Sequence, residues 1–214
     1  MRTIGVVHLP PPLTTDDPTA SAELLTAYYA PHNPGLRYTG ALFDEWDSTG
    51  TRAADTNTFT ADDFVAITLL SVSAGGPAAR ALLCDRADEF NGLLAAIGDD
   101  RDLADEPDPI DSAWPAWQLE TRLRSVRGIG LTIATKLIAR KRPRLYPIWD
   151  EVVTEVLGTR QRHLQPIHAA LSSDTRLRSR LQAARTTAGL PTVISELRVL
   201  DVITWMYCTT RSAR

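Results

Sequence analysis

The sequence predicts an all-α protein, and three observations support this fold class. Apolar residues recur at helical spacing in several windows, as at Phe64, Ile67 and Leu70. Capping residues, prolines and glycines separate these windows. The chain shows no clear β-hairpin, internal repeat or low-complexity tract. From this periodicity we expect about eight helices.

The N-terminal half is expected to contribute three of these helices. The segment before Pro18 is rich in Pro, Thr and Asp, which predicts irregular structure. Thr60 followed by Asp63 has the spacing of a capping box, which marks the start of a helix. Residues 38–46 are compatible with either an extended segment or a helical turn. The other two helices are expected over residues 21–30 and 77–97.

The C-terminal half is expected to contribute the other five. Ser112 is a candidate N-cap, with Pro115 in the first helical turn, where a missing N–H is tolerated. This helix is expected to end near Val126. Further helices are expected after Gly130, after Asp150, over residues 164–188 and over residues 191–207.

Composition excludes several classes of protein. Apolar residues form 43% of the chain and charged residues 23%, as is typical of a soluble globular protein. No apolar run reaches the roughly 18 residues of a membrane span. The N-terminus lacks the pattern of a secretory signal. Cys84 and Cys208 lie far apart without metal-ligand spacing, so we interpret both as buried thiols of a cytoplasmic protein.

Charge is distributed unevenly along the chain. Residues 1–112 carry 6 basic and 19 acidic side chains, whereas residues 113–214 carry 17 basic and 7 acidic ones. Such a basic half favours a polyanionic partner. The alternative is that the two halves pair with each other, and charge alone does not decide between these interpretations.

A glycine-containing turn between two predicted helices carries the most information. Gly128 and Gly130 flank Ile129, and apolar residues continue in helical register on both sides. The first glycine can adopt a positive φ and reverse the chain. The second allows close backbone approach and opens a helix whose first N–H groups favour an anion. The alternative is a helical hairpin whose turn binds no ligand.

This pattern resembles the helix-hairpin-helix DNA-binding motif. Asp150 follows Gly130 by about twenty residues and directly precedes a predicted helix, as an aspartate does in the helix-hairpin-helix DNA glycosylase superfamily. The resemblance covers residues 114–157, and the whole chain is similar to uncharacterised actinobacterial proteins with the same core. It implies a single domain, residues 1–214, of two helical lobes with a cleft near Asp150.

The resemblance also implies a function. A monofunctional DNA glycosylase of this type would flip a damaged or modified base out of double-stranded DNA and hydrolyse its N-glycosidic bond, with Asp150 as the catalytic carboxylate. A helix N-cap is the alternative role for this aspartate, and the two roles are compatible. We expect a monomer without a cofactor. Core packing is the alternative for each aromatic residue that could line the base pocket, namely Trp149, Tyr146, Trp46 and Trp114.

The DNA-binding residues implied by the resemblance form two groups. Backbone amides of the turn would grip a phosphate, with an alkali ion as the one metal that the turn carbonyls could hold. These residues are Val126, Arg127, Gly128, Ile129, Gly130, Leu131 and Thr132. Cations after the turn would add positive field, or would instead complement the C-terminal helix dipole. They are Lys136, Arg140, Lys141, Arg142 and Arg144.

Three departures from the superfamily pattern limit the expected chemistry. Thr132 stands where lyase members have a Schiff-base lysine, so no β-lyase activity is expected. Val152 stands where a histidine often follows the aspartate. Two cysteines cannot hold the iron–sulfur cluster of some members. A non-catalytic DNA-binding protein therefore remains an alternative, as does a module whose acidic half binds a basic protein partner.

Two histidines and one acid complete the candidates. His163 and His168 have no ligand partners at suitable spacing, so we interpret them as non-metal residues. Asp201 lies in an apolar helix and is expected to pair with an arginine such as Arg198. A second catalytic carboxylate is the alternative for Asp201.

Overall fold

The computed structural model describes residues 6–32, 35–36, 38–107 and 110–212, and within them the chain is helical, which confirms the all-α prediction. Two-residue strands, β1 Pro31–His32 and β2 Gly35–Leu36, pair antiparallel. Short 3-10 turns cover Pro11–Leu13, Thr39–Leu42 and Leu103–Asp105. The α-helices are α1 Thr19–Tyr29, α2 Ala61–Leu69, α3 Gly76–Arg80, α4 Ala87–Ile97, α5 Pro115–Arg124, α6 Leu131–Lys141, α7 Glu151–Val156, α8 Leu164–Ser173, α9 Thr175–Thr187 and α10 Glu196–Ser212.

The chain divides into two compact units. The first contains the described parts of residues 1–38, 101–106 and 143–214, and therefore α1 and α7 to α10. The second contains the described parts of residues 39–100 and 107–142, and therefore α2 to α6. The glycine turn belongs to the second unit, whereas Asp150 belongs to the first.

The first unit is organised around its C-terminal helix. α10 packs against α1, α7 and α9, and its apolar face buries Val199, Val202 and Ile203. Arg198 is also buried here, donating to the Tyr28 hydroxyl at 2.8 Å and forming an ion pair with Asp201. The predicted Asp201–Arg198 pair is thus confirmed. The position tolerates a buried arginine because the Tyr28 hydroxyl and the Asp201 carboxylate accept hydrogen bonds from its guanidinium.

The second unit is organised around the hairpin helices. α5 packs against α4 and α6, and α2 packs against α6. Leu119 and Leu123 of α5 are fully buried, as are Ala134 and Leu137 of α6. The small Ala134 permits close packing at this position, as its place in the sequence predicts.

Two predicted helices are each interrupted. The helix expected over residues 77–97 consists of α3, a π-helical turn Ala81–Asp85 and α4. The helix expected over residues 164–188 breaks at Asp174, whose carboxylate accepts the N–H groups of Arg176 and Leu177 and starts α9. An aspartate competes for local backbone donors and so favours a new helix start over continuation. α10 begins at Glu196, later than the predicted start of its helix near residue 191.

The cations of α6 are buried, which corrects the expectation that they face DNA. Lys136, Arg140, Lys141 and Arg142 are only 2% to 7% exposed. Lys136 Nζ donates to the Leu70 carbonyl at 3.0 Å, near the end of α2. These four cations are not available to neutralise a phosphate, because they are buried and donate to acceptors inside the second unit.

Asp63 is the anionic partner of the next two cations. Lys141 Nζ lies 2.7 Å from Asp63, and Arg140 Nε lies 3.6 Å from the same carboxylate. Arg140 also donates to the backbone carbonyls of Phe43 and Trp46. The Asp63 carboxylate accepts the N–H of Thr60 at 2.8 Å, as the capping-box spacing predicts. One carboxylate therefore caps α2 and compensates the buried end of α6.

Arg142 fastens the end of α6 to α4. Its guanidinium donates to the carbonyls of Leu94 and Gly98, at 3.0 and 2.8 Å, and to Thr56 at 2.8 Å. The two α4 carbonyls belong to the last turn and C-cap of that helix, where no intrahelical donor remains for them. Arg144, in contrast, is half exposed and lies 2.8 Å from Asp102 in the first unit.

Replacing Arg142 should separate a structural cation from a surface one. We expect Arg142→Ala to lower the free energy of unfolding by about 3–5 kcal/mol, because several buried carbonyls lose their donor. Arg144→Ala is the matched control and should cost no more than about 1 kcal/mol. Urea unfolding followed by circular dichroism measures both. Equal losses for the two variants would contradict this account.

Candidate nucleic-acid interface and Asp150

The turn between α5 and α6 has the geometry that its glycines predict. Gly128 adopts φ +90°, a backbone conformation that residues other than glycine rarely adopt. The N–H of Ile129 donates to the Val126 carbonyl at 3.0 Å. Val126 and Ile129 point inward and are buried, whereas Arg127, Gly128 and Gly130 are exposed. The apolar pair anchors the turn and presents its backbone to solvent.

Gly130 is not required by the fold. It is the N-cap of α6, with φ −87° and ψ −177°, an extended conformation open to any residue. A Cβ placed on it would meet no atom within 4 Å. Among the described residues, no group makes the close approach to Gly130 that the sequence predicts. The open space lies at the start of a helix.

The first turn of α6 presents unpaired donors. The first bond into this helix joins the Ala134 N–H to the Gly130 carbonyl at 3.0 Å. Among the described residues, the N–H groups of Leu131, Thr132 and Ile133 have no protein acceptor. Because the helix dipole adds partial positive charge here, this terminus can accept an anion without a cationic side chain.

Charge near the turn comes from α5 and from the turn itself. Arg122 Nε lies 2.8 Å from Glu89, and Arg124 lies 3.0 Å from Glu120. Hydrogen bonds from Arg86 and Arg122 lower the pKa of Glu89 to about 2, so this acid stays ionised. Arg127 forms no ion pair within the described part of the chain. It is the cation most available to a polyanion at the turn.

Asp150 is the N-cap of α7. Its Oδ1 accepts the N–H groups of Val152 and Val153 at 3.0 and 3.4 Å. Its backbone carbonyl accepts the hydroxyl of Thr154 at 2.8 Å. The half-buried side chain thus has the capping role that the sequence allows. Helix capping fixes the carboxylate in one place, which is compatible with a chemical role.

A loop after α7 folds back onto the segment that ends in Asp150. The Trp149 indole N–H donates to the Arg160 carbonyl at 3.4 Å, and the Arg160 guanidinium pairs with Glu151. The hydroxyl of Thr159 lies 2.9 Å from Nδ1 of His163. Burial lowers the pKa of His163, whereas the Ile148 backbone and the negative charge of Asp150 both act to raise it.

Sequence reasoning missed His163 as a neighbour of Asp150. It lies beyond α7, and no spacing rule joins it to the aspartate. With Asp201 it is one of two ionisable residues that line a small pocket of the first unit. The pocket is otherwise apolar, and burial lowers the pKa of His163 to about 4, although the Ile148 backbone and the Asp150 charge favour protonation. Its other lining residues are Pro147, Ile148, Val153, Leu157, Ile167, Leu197 and Leu200.

The predicted aromatic pocket residues do not belong to one unit. Tyr146 and Trp149 lie in the first unit, and Trp46 and Trp114 lie in the second. Tyr146 is only 1% exposed, so it is a core residue and cannot stack on a base, which corrects that expectation. Trp149, Trp46 and Trp114 are half-buried, and the Trp46 indole lies 3.4 Å from Asp62.

Other candidate ligands are placed as follows. Cys84 is exposed and Cys208 is half-buried, and the described residues contain no disulfide, so the prediction that both cysteines are buried is wrong. His168 is buried and its Nε2 lies 2.9 Å from the Glu106 carbonyl. The described residues contain no group of three or more His, Cys, Asp or Glu side chains placed to hold a metal. Within the same residues, no helix has the length and apolar character to cross a membrane.

Comparison with known proteins identifies the family but no activity. No curated protein and no solved structure matches the chain. A family model described as a family of unknown function, DUF6308, matches residues 21–208, which include both the glycine turn and Asp150. The chain therefore belongs to the DUF6308 family.

Proposed function

We propose that this protein binds the backbone of double-stranded DNA through the glycine turn and hydrolyses the N-glycosidic bond of a damaged or modified base. Asp150 is the proposed catalytic carboxylate. The observation that carries the proposal is the start of α6, where three unpaired N–H groups adjoin a glycine that the fold does not need.

The turn leaves the first N–H groups of α6 open to a phosphate, because it has no carboxylate side chain of its own to cap them. An N-cap side chain would satisfy one of the α6 donors, and Gly130 supplies none. A phosphate oxygen can accept several such N–H groups at once, and Arg127 adds a charge beside them. Contacts of this kind position a protein on DNA without reading its sequence. Base selection would then depend on other residues.

The chemistry proposed for Asp150 is hydrolysis alone. As the bond from C1′ to the base nitrogen breaks, positive charge develops on the sugar, and a carboxylate stabilises it. The carboxylate also accepts a proton from the attacking water, whose oxygen bonds to C1′. The base leaves with the electron pair of the broken bond and takes a proton from solvent, to which Asp150 later releases the proton that it accepted. Thr132 offers no amine, and Lys136 is buried against Leu70, so a Schiff base has no candidate in the turn.

A non-catalytic DNA-binding protein is the second candidate. One observation favours it: the Asp150 carboxylate already caps α7. Such a protein would bind duplex DNA through the same turn and release no base. The two candidates share the interface and differ only in the role of Asp150.

Substitution of Gly130 should separate binding from folding. We expect Gly130→Asp to maintain or raise stability, because aspartate is a favoured N-cap and its Cβ has free space. Its carboxylate would occupy the α6 donors and repel phosphate, so affinity for duplex DNA should fall at least about tenfold. Fluorescence anisotropy with a labelled duplex measures the affinity, and thermal unfolding measures the stability.

Gly128→Ala is the matched control for that experiment. At φ +90° an alanine is strained, so this variant should lose about 1 kcal/mol or more of stability. Unchanged DNA affinity in folded Gly130→Asp would contradict the proposed interface. Arg127→Ala should in addition reduce the slope of log affinity against log salt by about one.

Asp150 can be tested against a second N-cap of the same unit. Asp174 caps α9 with the same two-amide pattern, and asparagine caps a helix as well as aspartate does. We expect Asp150→Asn to slow base release by about 10²- to 10⁴-fold and Asp174→Asn to leave it unchanged. The assay incubates duplexes that each contain one lesion, then cleaves abasic sites with alkali. Equal rates for wild type and Asp150→Asn would exclude the catalytic role, and duplex binding without base release would support the second candidate.

A further inference from the structure

We propose that Arg86 and Arg122, held side by side on the carboxylate of Glu89, form a second phosphate contact for duplex DNA beside the glycine turn. The inference rests on the DNA-binding part of the proposed function and does not depend on the chemistry at Asp150. The two arginines, the glutamate and the turn all belong to the second unit.

One carboxylate holds both arginines, and these three side chains are called the Glu89 cluster. Arg86 donates to Glu89 from Nε at 2.7 Å and from Nη2 at 3.0 Å. Arg122 donates to the same carboxylate from Nε at 2.8 Å and from Nη2 at 2.5 Å. Because hydrogen bonds from Arg86 and Arg122 lower the pKa of Glu89 to about 2, the acid is ionised at neutral pH. The cluster therefore has two positive charges and one negative charge.

The Glu89 cluster retains hydrogen-bond donors for an external anion. Each guanidinium uses its Nε and Nη2 groups on Glu89. Among the described residues, the Nη1 groups of Arg86 and Arg122 have no acceptor. Phosphate oxygens accept strong hydrogen bonds from guanidinium groups, whose planar fork matches their geometry. A phosphate group is therefore the ligand that suits both the surplus charge and the remaining donors.

The cluster lies at the end of α5 that leads into the glycine turn. Arg122 is in the last turn of α5, and Arg86 is the N-cap of α4, which packs against α5. The Arg86 guanidinium also lies 4.7 Å from the centre of the buried Phe90 ring, a contact that restricts its orientation. Both arginine side chains remain partly exposed, Arg86 by 31% and Arg122 by 53%. They are thus accessible to a polyanion and already held in place.

Two other arginines of this unit pair with one acid each. Arg124 lies 3.0 Å from Glu120 on the same helix, and Arg80 lies 3.1 Å from Asp85. Each of these pairs is neutral overall. Arg124 is two residues from Arg122, so the two side chains point to different faces of α5. The surplus of positive charge follows from the sharing of Glu89 by two arginines.

Removal of one arginine tests the contact. Since either variant leaves a neutral pair, we expect Arg86→Ala and Arg122→Ala each to weaken duplex binding by at least about threefold and to reduce the slope of log affinity against log salt by about one. Arg124→Ala is the matched control, because Arg124 is 51% exposed on the same helix, and its slope should equal that of wild type. Fluorescence anisotropy with a labelled duplex measures affinity, and thermal unfolding confirms folding. An unchanged slope in folded Arg86→Ala or Arg122→Ala would overturn the proposal.

Removal of the acid should have the opposite effect. Glu89→Gln eliminates the compensating charge and retains an oxygen that accepts hydrogen bonds from the arginines. We expect this variant to bind the duplex at least about threefold more tightly, with a steeper dependence on salt. Glu120→Gln, which removes the acid paired with Arg124, should change neither quantity. Unchanged or weaker binding by folded Glu89→Gln would overturn the proposal.

The same titrations separate this inference from the proposed function. If Gly130→Asp weakens binding and Arg122→Ala does not, the turn is an interface and the Glu89 cluster is not part of it. If wild-type protein binds the duplex but releases no base, the chemistry at Asp150 fails and the salt slopes still decide the role of the cluster. Absence of duplex binding by wild type at low salt would overturn both.

Discussion

The burial of positive charge at the end of α6 is the constraint on which the second unit depends. Arg140, Lys141 and Arg142 are consecutive and buried, so each must find acceptors inside the protein. Asp63 compensates the first two, and the carbonyls of α4 receive the third. These contacts fix α6 against α2 and α4. They leave its N-terminus, with the glycine turn, exposed.

This arrangement changes the source of any attraction for DNA. A cluster of cations after the turn would give a broad electrostatic surface, but in the structure these cations are structural. What remains at the turn is a set of backbone donors, one exposed arginine and two arginines already paired with Glu89 and Glu120. Binding through such a turn depends on geometry more than on net charge. An overall negative chain can therefore still offer an anion site.

Local rules predicted the local features of the chain. The positive φ of Gly128, the Thr60–Asp63 pairing and the Asp150 cap each depend on residues within a few positions of one another. The fold class followed from helical spacing in the same way. The interruption at Asp174 was missed, although aspartate is a strong helix starter, because the polar residues on both sides of it also favour a helix.

Long-range partners were beyond sequence reasoning. Nothing in the sequence around Arg142 indicates that its guanidinium donates to the distant carbonyls of Leu94 and Gly98. A run of basic residues therefore predicts an exposed surface. The sequence likewise does not place His163 near Asp150, because the two come together only after the loop that follows α7 folds back. A residue's charge predicts its chemistry, but its burial depends on contacts made by distant segments.

The most direct measurement of the central claim is an amide chemical-shift titration of the protein with a short duplex at low and high salt. The account predicts that the largest shifts fall on the N–H groups of Leu131, Thr132 and Ile133, at the start of α6, and that they diminish as salt rises. Shifts confined to other surfaces, or no shifts at any salt concentration, would contradict it.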